Sequence, residues 1–239
     1  MNPQDTLELI KQRHSSRVPF DENRPVDPHV LDDILQAATW APTAHNMQNF
    51  EIVTVRDKAV LTQLSELESA TSPVFVQENY QQLSFTEDEW TAKGTGLLAS
   101  QFPAAWQSEA AQAGQLREQP APLGEQIRRG PVLMVLLYDP SRRAPASAGD
   151  FLGIMSLGCV LENMWLMATA HGLAFHIISP LANQPVASQI KQILGVPANL
   201  DITLSIRLGY PASPEEPRLR VRRQVADFAT DDHFGATSD

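Results

Sequence analysis

The spacing of apolar and polar positions divides the chain into short amphipathic helices and a few β-rich runs. Leu7 and Ile10 lie one turn apart behind the capping residues Asp5 and Thr6, which predicts a helix over 4–13. Asp27-Pro28 places an N-cap acceptor before a proline, and Val30, Leu31, Ile34, Leu35 and Ala38 continue at helical spacing until Pro42. FEIVTV over 50–55 alternates and reads as a strand, and DKAVLTQLSELE from 57 to 68 reads as a helix. Residues 69–130 carry Trp90, Phe102 and Trp106 among Ala, Gln, Glu and Gly with little periodicity, so broken helices are expected there. The run PVLMVLLY at 131–138 is apolar on both faces, as a central strand requires. Asp150 can cap a long core helix through His171, closed by Gly172. A strand at 173–178, a helix at 186–194 ending on Gly195 and a strand at 202–208 follow. Residues after 212 have no core pattern. The fold class is α+β: a small, mixed and mainly antiparallel sheet surrounded by helices, with an extended C-terminal tail.

Composition narrows the function. The chain has 239 residues, 43% of them hydrophobic and 19% charged, enough for one large domain. A net charge of -10 argues against nucleic acid or an anionic membrane surface as a partner. Cys159 is the single cysteine, so an internal disulfide and a multi-cysteine metal site are excluded, and its apolar helical setting suits core packing. The N-terminal stretch has no long apolar run, and no uninterrupted apolar stretch of about 18 residues occurs. The expectation is a cytoplasmic protein without a secretory signal or spanning helix.

Nucleotide, metal and hydrolase motifs are missing from the sequence. Gly153 and Gly158 have phosphate-loop spacing, but Cys159 stands where lysine is required. Gly94-Thr95-Gly96 does not continue into a dinucleotide fingerprint, and neither H-E-x-x-H nor G-x-S-x-G occurs. Three stretches carry chemistry instead. Arg13-His14-Ser15-Ser16-Arg17 sets two guanidiniums, an imidazole and two hydroxyls just after a helix, an anion site or a solvated turn. Thr43, His45, Asn46 and Gln48 make the helix–strand junction APTAHNMQNF polar enough to read a heteroaromatic ring edge, or simply to form an Asx-rich turn. RLRVRR at 218–223 is a second basic cluster in an acidic protein.

In order and spacing, these stretches resemble the FMN-dependent nitroreductase family of the NAD(P)H-dependent, oxygen-insensitive type. Glu162-Asn163-Met164 in the long helix, Gly172-Leu173 at its end, LGVP at 194–197 and LGYP at 208–211 extend the resemblance over nearly the whole chain. The resemblance implies one nitroreductase-like domain over 1–239, with a helical excursion at about 69–130 and a C-terminal extension at 212–239. It implies an obligate homodimer with FMN at the subunit interface. Arg13, His14, Ser15 and Arg17 would contact the phosphate, ribityl chain and pyrimidine edge. Thr43, Ala44, His45, Asn46 and Gln48 would line the flavin of the partner subunit. Arg220 and Arg222 would bind the same phosphate as Arg13, while Arg218 and Arg223 would stay solvated. Ile178 and Ser179 fall where the family directs a backbone N–H at flavin N5; Pro180 has none, so Ser179 is the candidate donor and no side chain is named as catalytic. Asn49-Phe50, where Pro-Trp is common, is a second departure.

The activity implied is ping-pong transfer of a hydride from NADH or NADPH through flavin N5 to an electron-poor small molecule such as a nitroaromatic or quinone. Arg142 and Arg143 are weak candidates for an NADPH 2′-phosphate. Three other readings stay open. One is a specialised member, such as a reductive dehalogenase, a flavin-dependent desaturase or oxidase, or a flavin-cleaving enzyme with Trp90 and Trp106 above the flavin. The others are a non-catalytic flavin-binding protein and a structural protein whose basic tail docks an acidic partner.

Overall fold

A computed structural model describes residues 2–107, 113, 119–120, 123–145, 149–182, 184–214 and 220–234. The elements in chain order are α1 (Pro3–Gln12), α2 (Pro28–Thr39), β1 (Phe50–Val55), α3 (Lys58–Ser65), α4 (Pro73–Leu83), α5 (Glu87–Lys93), α6 (Leu123–Arg128), β2 (Val132–Tyr138), α7 (Phe151–Ala170), β3 (Ala174–Ile178), α8 (Val186–Leu194) and β4 (Asp201–Gly209). They divide into two units. One holds residues 1–69 and 122–215, the other residues 70–121 and 216–239.

The first unit is built on a four-stranded sheet in the order β1-β2-β4-β3, antiparallel throughout. Among the described residues of this unit, the parallel component is one bridge, Ser15 beside Phe175. All seven residues of β2 are buried, because the strand has a core on each face. Met134, Leu136 and Tyr138 point to α2 and α7; Leu133, Val135 and Leu137 point to α3, α6 and α8. Each such side chain contributes about 1.5–3 kcal/mol by leaving water.

Two expectations need adjusting. Asp150 stands at the N-cap of α7, but its side chain makes no capping hydrogen bond. By length and composition α7 could cross a membrane. In the fold it packs Leu157, Val160, Met164, Trp165 and Ala168 into the core and leaves Phe151, Ile154 and Met155 exposed, so it is a core helix with one open face.

The second unit is more regular than its composition suggests. Ser72 caps α4, its Oγ accepting from the Phe75 N–H at 3.1 Å, with Pro73 at the first helical position. Thr86 and Glu89 form a reciprocal capping box on α5. That helix closes at Gly94 in the left-handed conformation. Trp90 is buried and donates Nε1–H to the Gly96 carbonyl at 3.1 Å, which makes it a core residue of this unit. Phe75, Trp106, Phe102 and Tyr80 pack edge-on or tilted in a small aromatic cluster.

Candidate functional site

The RHSSR stretch leaves α1 and runs beside β3. The Ser16 N–H donates to the Phe175 carbonyl at 2.9 Å, which makes this stretch a short extension of the sheet. Trp165 of α7 supports it from one side. Its ring stacks on Phe175 at 4.8 Å, its Nε1–H donates to the His14 carbonyl at 3.2 Å, and the Arg13 guanidinium lies 4.6 Å from its centre. Glu162, one turn earlier on α7, pairs with Arg13 Nε at 3.0 Å. Arg13 is thus half-buried and held on two sides, while His14 and Arg17 face solvent.

Sequence reasoning singled out neither Trp165 nor a role for Glu162 in placing Arg13. The available signal was their helical spacing to each other, but nothing local ties them to residue 13. The neighbouring family residues have separate tasks: Asn163 donates to the Ala37 carbonyl at 3.0 Å and locks α7 to α2, and Met164 is core.

The polar loop 43–48 is a 3-10 turn in an unusual backbone state. His45, Asn46 and Gln48 have φ of 51°, 54° and 44°, the left-handed region that costs non-glycine residues free energy. The turn is held internally and from below. Thr43 Oγ1 accepts the Gln48 N–H at 3.2 Å, Asn46 Oδ1 accepts from Gln48 Nε2 at 3.0 Å, and the Ala44 N–H donates to Ser156 Oγ of α7 at 3.1 Å. Asn49, where proline is common, is buried; it donates to the Arg142 carbonyl at 3.0 Å and its own carbonyl accepts from the Asp139 N–H at 3.0 Å. The departure is therefore a structural lock between β1 and the loop after β2. Arg142 itself pairs with Asp139 at 3.2 Å.

Two elements space the site. Ser156 and Trp165 sit on one helix roughly 14 Å apart along its axis. Phe175, at the RHSSR stretch, and Ser179, exposed just beyond β3, lie roughly 13 Å apart along the strand direction. Ile178, before Ser179, is buried.

Arg220 and Arg222 belong to the second unit and are exposed. There the tail passes so close to Gly94 that a Cβ on that glycine would lie 2.7 Å from the Arg222 carbonyl carbon. Arg223 is exposed, packs on Phe228 and donates to the Asp227 carbonyl. Arg218 lies outside the described residues.

Behind the RHSSR stretch the sheet buries an arginine and a histidine side by side. Arg207 of β4 and His176 of β3 are register partners, 1% and 7% exposed. Burial, then the charge of Arg207, pushes the His176 pKa down to about 4, with smaller contributions from Arg17 and Arg129. Burial likewise lowers Arg207, to about 10. A half-open groove of about 1010 Å³ beside β1, lined by Val53, Val55, Arg56, Lys58 and Arg128 among others, includes none of the predicted site residues.

Comparison with known proteins identifies the family and the fold. The chain matches the model of the nitroreductase family over residues 10–210. It is 28% identical over 218 residues to a Thermus thermophilus protein called NADH dehydrogenase, covering 90% of this chain and 92% of that protein. A Desulfovibrio desulfuricans nitroreductase crystallised in complex with FMN superposes with a TM-score of 0.61 at 20% identity, covering 98% of this chain and 99% of that one. A Bacteroides fragilis nitroreductase with bound FMN gives 0.58 at 21%, covering 96% and 98%. The chain belongs to the nitroreductase family and is an oxidoreductase.

Proposed function

We propose that this oxidoreductase binds FMN and uses it to pass reducing equivalents from NADH or NADPH to an electron-poor acceptor of the nitroaromatic or quinone class. The observation that carries the reading is the RHSSR stretch hooked onto β3, with Arg13 fixed between Trp165 and Glu162. A guanidinium already ordered before its ligand arrives loses little entropy on binding and suits a phosphate dianion. The residues fit FMN on a second count. The loop 45–48, left-handed at His45, Asn46 and Gln48, is polar, internally hydrogen-bonded and supported by α7, as a loop presented to a flat heteroaromatic ring should be. Bound FMN supplies the two-electron chemistry, accepting from the nicotinamide and donating to the acceptor in turn.

The chain's own residues hold and orient. Arg13, His14, Ser15 and Arg17 serve the phosphate and ribityl end, and Arg220 and Arg222 of the tail are further candidate phosphate ligands. Thr43, Ala44, His45, Asn46 and Gln48 line the ring of the flavin held by the partner subunit, and Ile178 and Ser179 present backbone at the flavin's reactive edge. No side chain is assigned a proton transfer.

The protein acts in this reading as a homodimer. Phe151 and Ile154 are each 64% exposed on α7, Met155 is 53% and Trp40 83% exposed, and Leu7 and Ile10 of α1 are also exposed. Such an exposed apolar set is costly in water and suits a second copy of the chain. A flavin-loaded monomer in sedimentation would contradict a site shared between copies.

The test of function is a visible spectrum of the purified protein, followed by anaerobic NADH and NADPH. Flavin bands that bleach with either nucleotide are expected. A protein that stays colourless after addition of FMN overturns the reading.

A further inference from the structure

We infer that Arg207, buried in β4, is a positioning residue that fixes the backbone of Arg17, and through it one of the basic side chains of the RHSSR stretch. The inference rests on the FMN reading above. Arg17 lies between two pins. On one side, the Ser16 N–H donates to the Phe175 carbonyl at 2.9 Å. On the other, Arg207 Nη2 donates to the Val18 carbonyl at 3.0 Å. The same guanidinium lies 4.1 Å from the centre of the Phe20 ring and donates Nη1–H to the Gln126 carbonyl at 3.2 Å.

The surroundings are adapted to Arg207. Gly130 gives it room: a Cβ there would lie 2.5 Å from Arg207 Cγ. No carboxylate pairs with it among the described residues. Burying a guanidinium is expensive, and a hydrophobic side chain in the middle of a sheet would pack there at less cost. What Arg207 adds is a charge-assisted grip on residues 18 and 20, the segment that leaves the phosphate-binding stretch. The groups facing it include His176 on β3 and Arg129 beyond α6. Arg207 points into the protein and is not offered as a phosphate ligand.

The test compares FMN with riboflavin, which lacks the phosphate, in Arg207→Met, Arg17→Ala and the double variant. Arg207→Met should weaken FMN by about tenfold and leave riboflavin within about twofold of wild type. In the Arg17→Ala background it should cost nothing further, because the residue it positions is gone. Equal losses for both flavins, or additive losses in the double variant, would overturn the inference.

Hydrogen exchange separates this result from the fate of the FMN reading. If wild type fails to prefer FMN over riboflavin, the phosphate assignment falls. Faster exchange of the flanking Ser16 and Phe20 amides, which donate to the Phe175 and Arg129 carbonyls, in Arg207→Met would then still establish the anchor, and unchanged exchange would reject it. Should Arg207→Met not fold, Phe20→Leu removes the ring from under the guanidinium. It should shift the FMN-to-riboflavin ratio in the same direction, and an unchanged ratio rejects the proposal.

Discussion

The two arginine clusters are built in opposite ways. The RHSSR stretch is held by its backbone: Ser16 is hydrogen-bonded to β3, the His14 carbonyl to Trp165, and the Val18 carbonyl to Arg207. Its guanidinium at residue 13 has an ion pair and an aromatic face as well. Arg220 and Arg222 lie on a tail outside any strand or α-helix and are exposed; the tail backbone passes close to Gly94, and Arg222 Nη1 donates to the neighbouring Val221 carbonyl at 2.6 Å. The first cluster is set by the sheet before any ligand arrives. The second lies on irregular backbone of the smaller unit, with no sheet strand beneath it among the described residues. A preorganised ligand set should govern affinity through what it already has in place, and a tail should govern it through what must be ordered on binding.

The largest expected effect concerns the buried ground behind the first cluster. His176 has a folded pKa of about 4 against an ordinary 6.5, so below pH 6.5 the unfolded chain binds a proton that the folded one refuses. Stability is therefore full above about pH 6.5 and falls with pH through that window, by about 3 kcal/mol once pH drops below 4. Urea unfolding of wild type and His176→Leu at several pH values should show a flatter profile for the variant between pH 4 and 6.5. Parallel profiles would show that His176 is not the titrating group. The exposed tail contains no counterpart to this buried pair among its described residues.

Next comes the phosphate itself. Arg13→Ala and Arg220→Ala should each cost FMN binding about 1.5–3 kcal/mol, and the double variant less than the sum if both hold one phosphate. Calorimetric titration gives all three values, and simple additivity would separate the two clusters functionally.

Gly94→Ala tests the tail alone. A left-handed φ of +62° and a Cβ 2.7–2.8 Å from the backbone of Arg222 and Arg223 should cost about 1–3 kcal/mol, felt as weaker FMN retention. Unchanged flavin content would mean that the tail's path past Gly94 does not matter to the site. The smallest effect is expected at Ser156→Ala, which removes the acceptor under Ala44 and should weaken flavin binding by about 1 kcal/mol through a looser 43–48 loop.

The contrast between clusters also explains what sequence could reveal. Periodicity located β1 at 50–55, α8 at 186–194 and the two-faced strand β2, because each is determined by local side-chain patterning. The excursion after residue 69 looked irregular because its hydrophobic pattern is weak, although S-P at 72–73 and T-x-x-E at 86–89 were ordinary helix starts. The motif residues were visible by composition. Their supports were not: Trp165 reaches back to residue 14, Ser156 to residue 44 and Arg207 to residue 18, and such distances in sequence leave no local signal. Arg207 in particular reads as a polar interruption of the strand ITLSIRL, and only the register with His176 and the cleared space at Gly130 show what it holds.

The most direct measurement for the central claim is an equilibrium titration of the flavin-free protein with FMN and with riboflavin under identical salt. If arginines from both clusters hold the phosphate, FMN should bind at least about a hundredfold more tightly, the equivalent of one or two charge-assisted contacts. Equal affinities would show that the phosphate is not what RHSSR and RLRVRR bind, and would contradict the account.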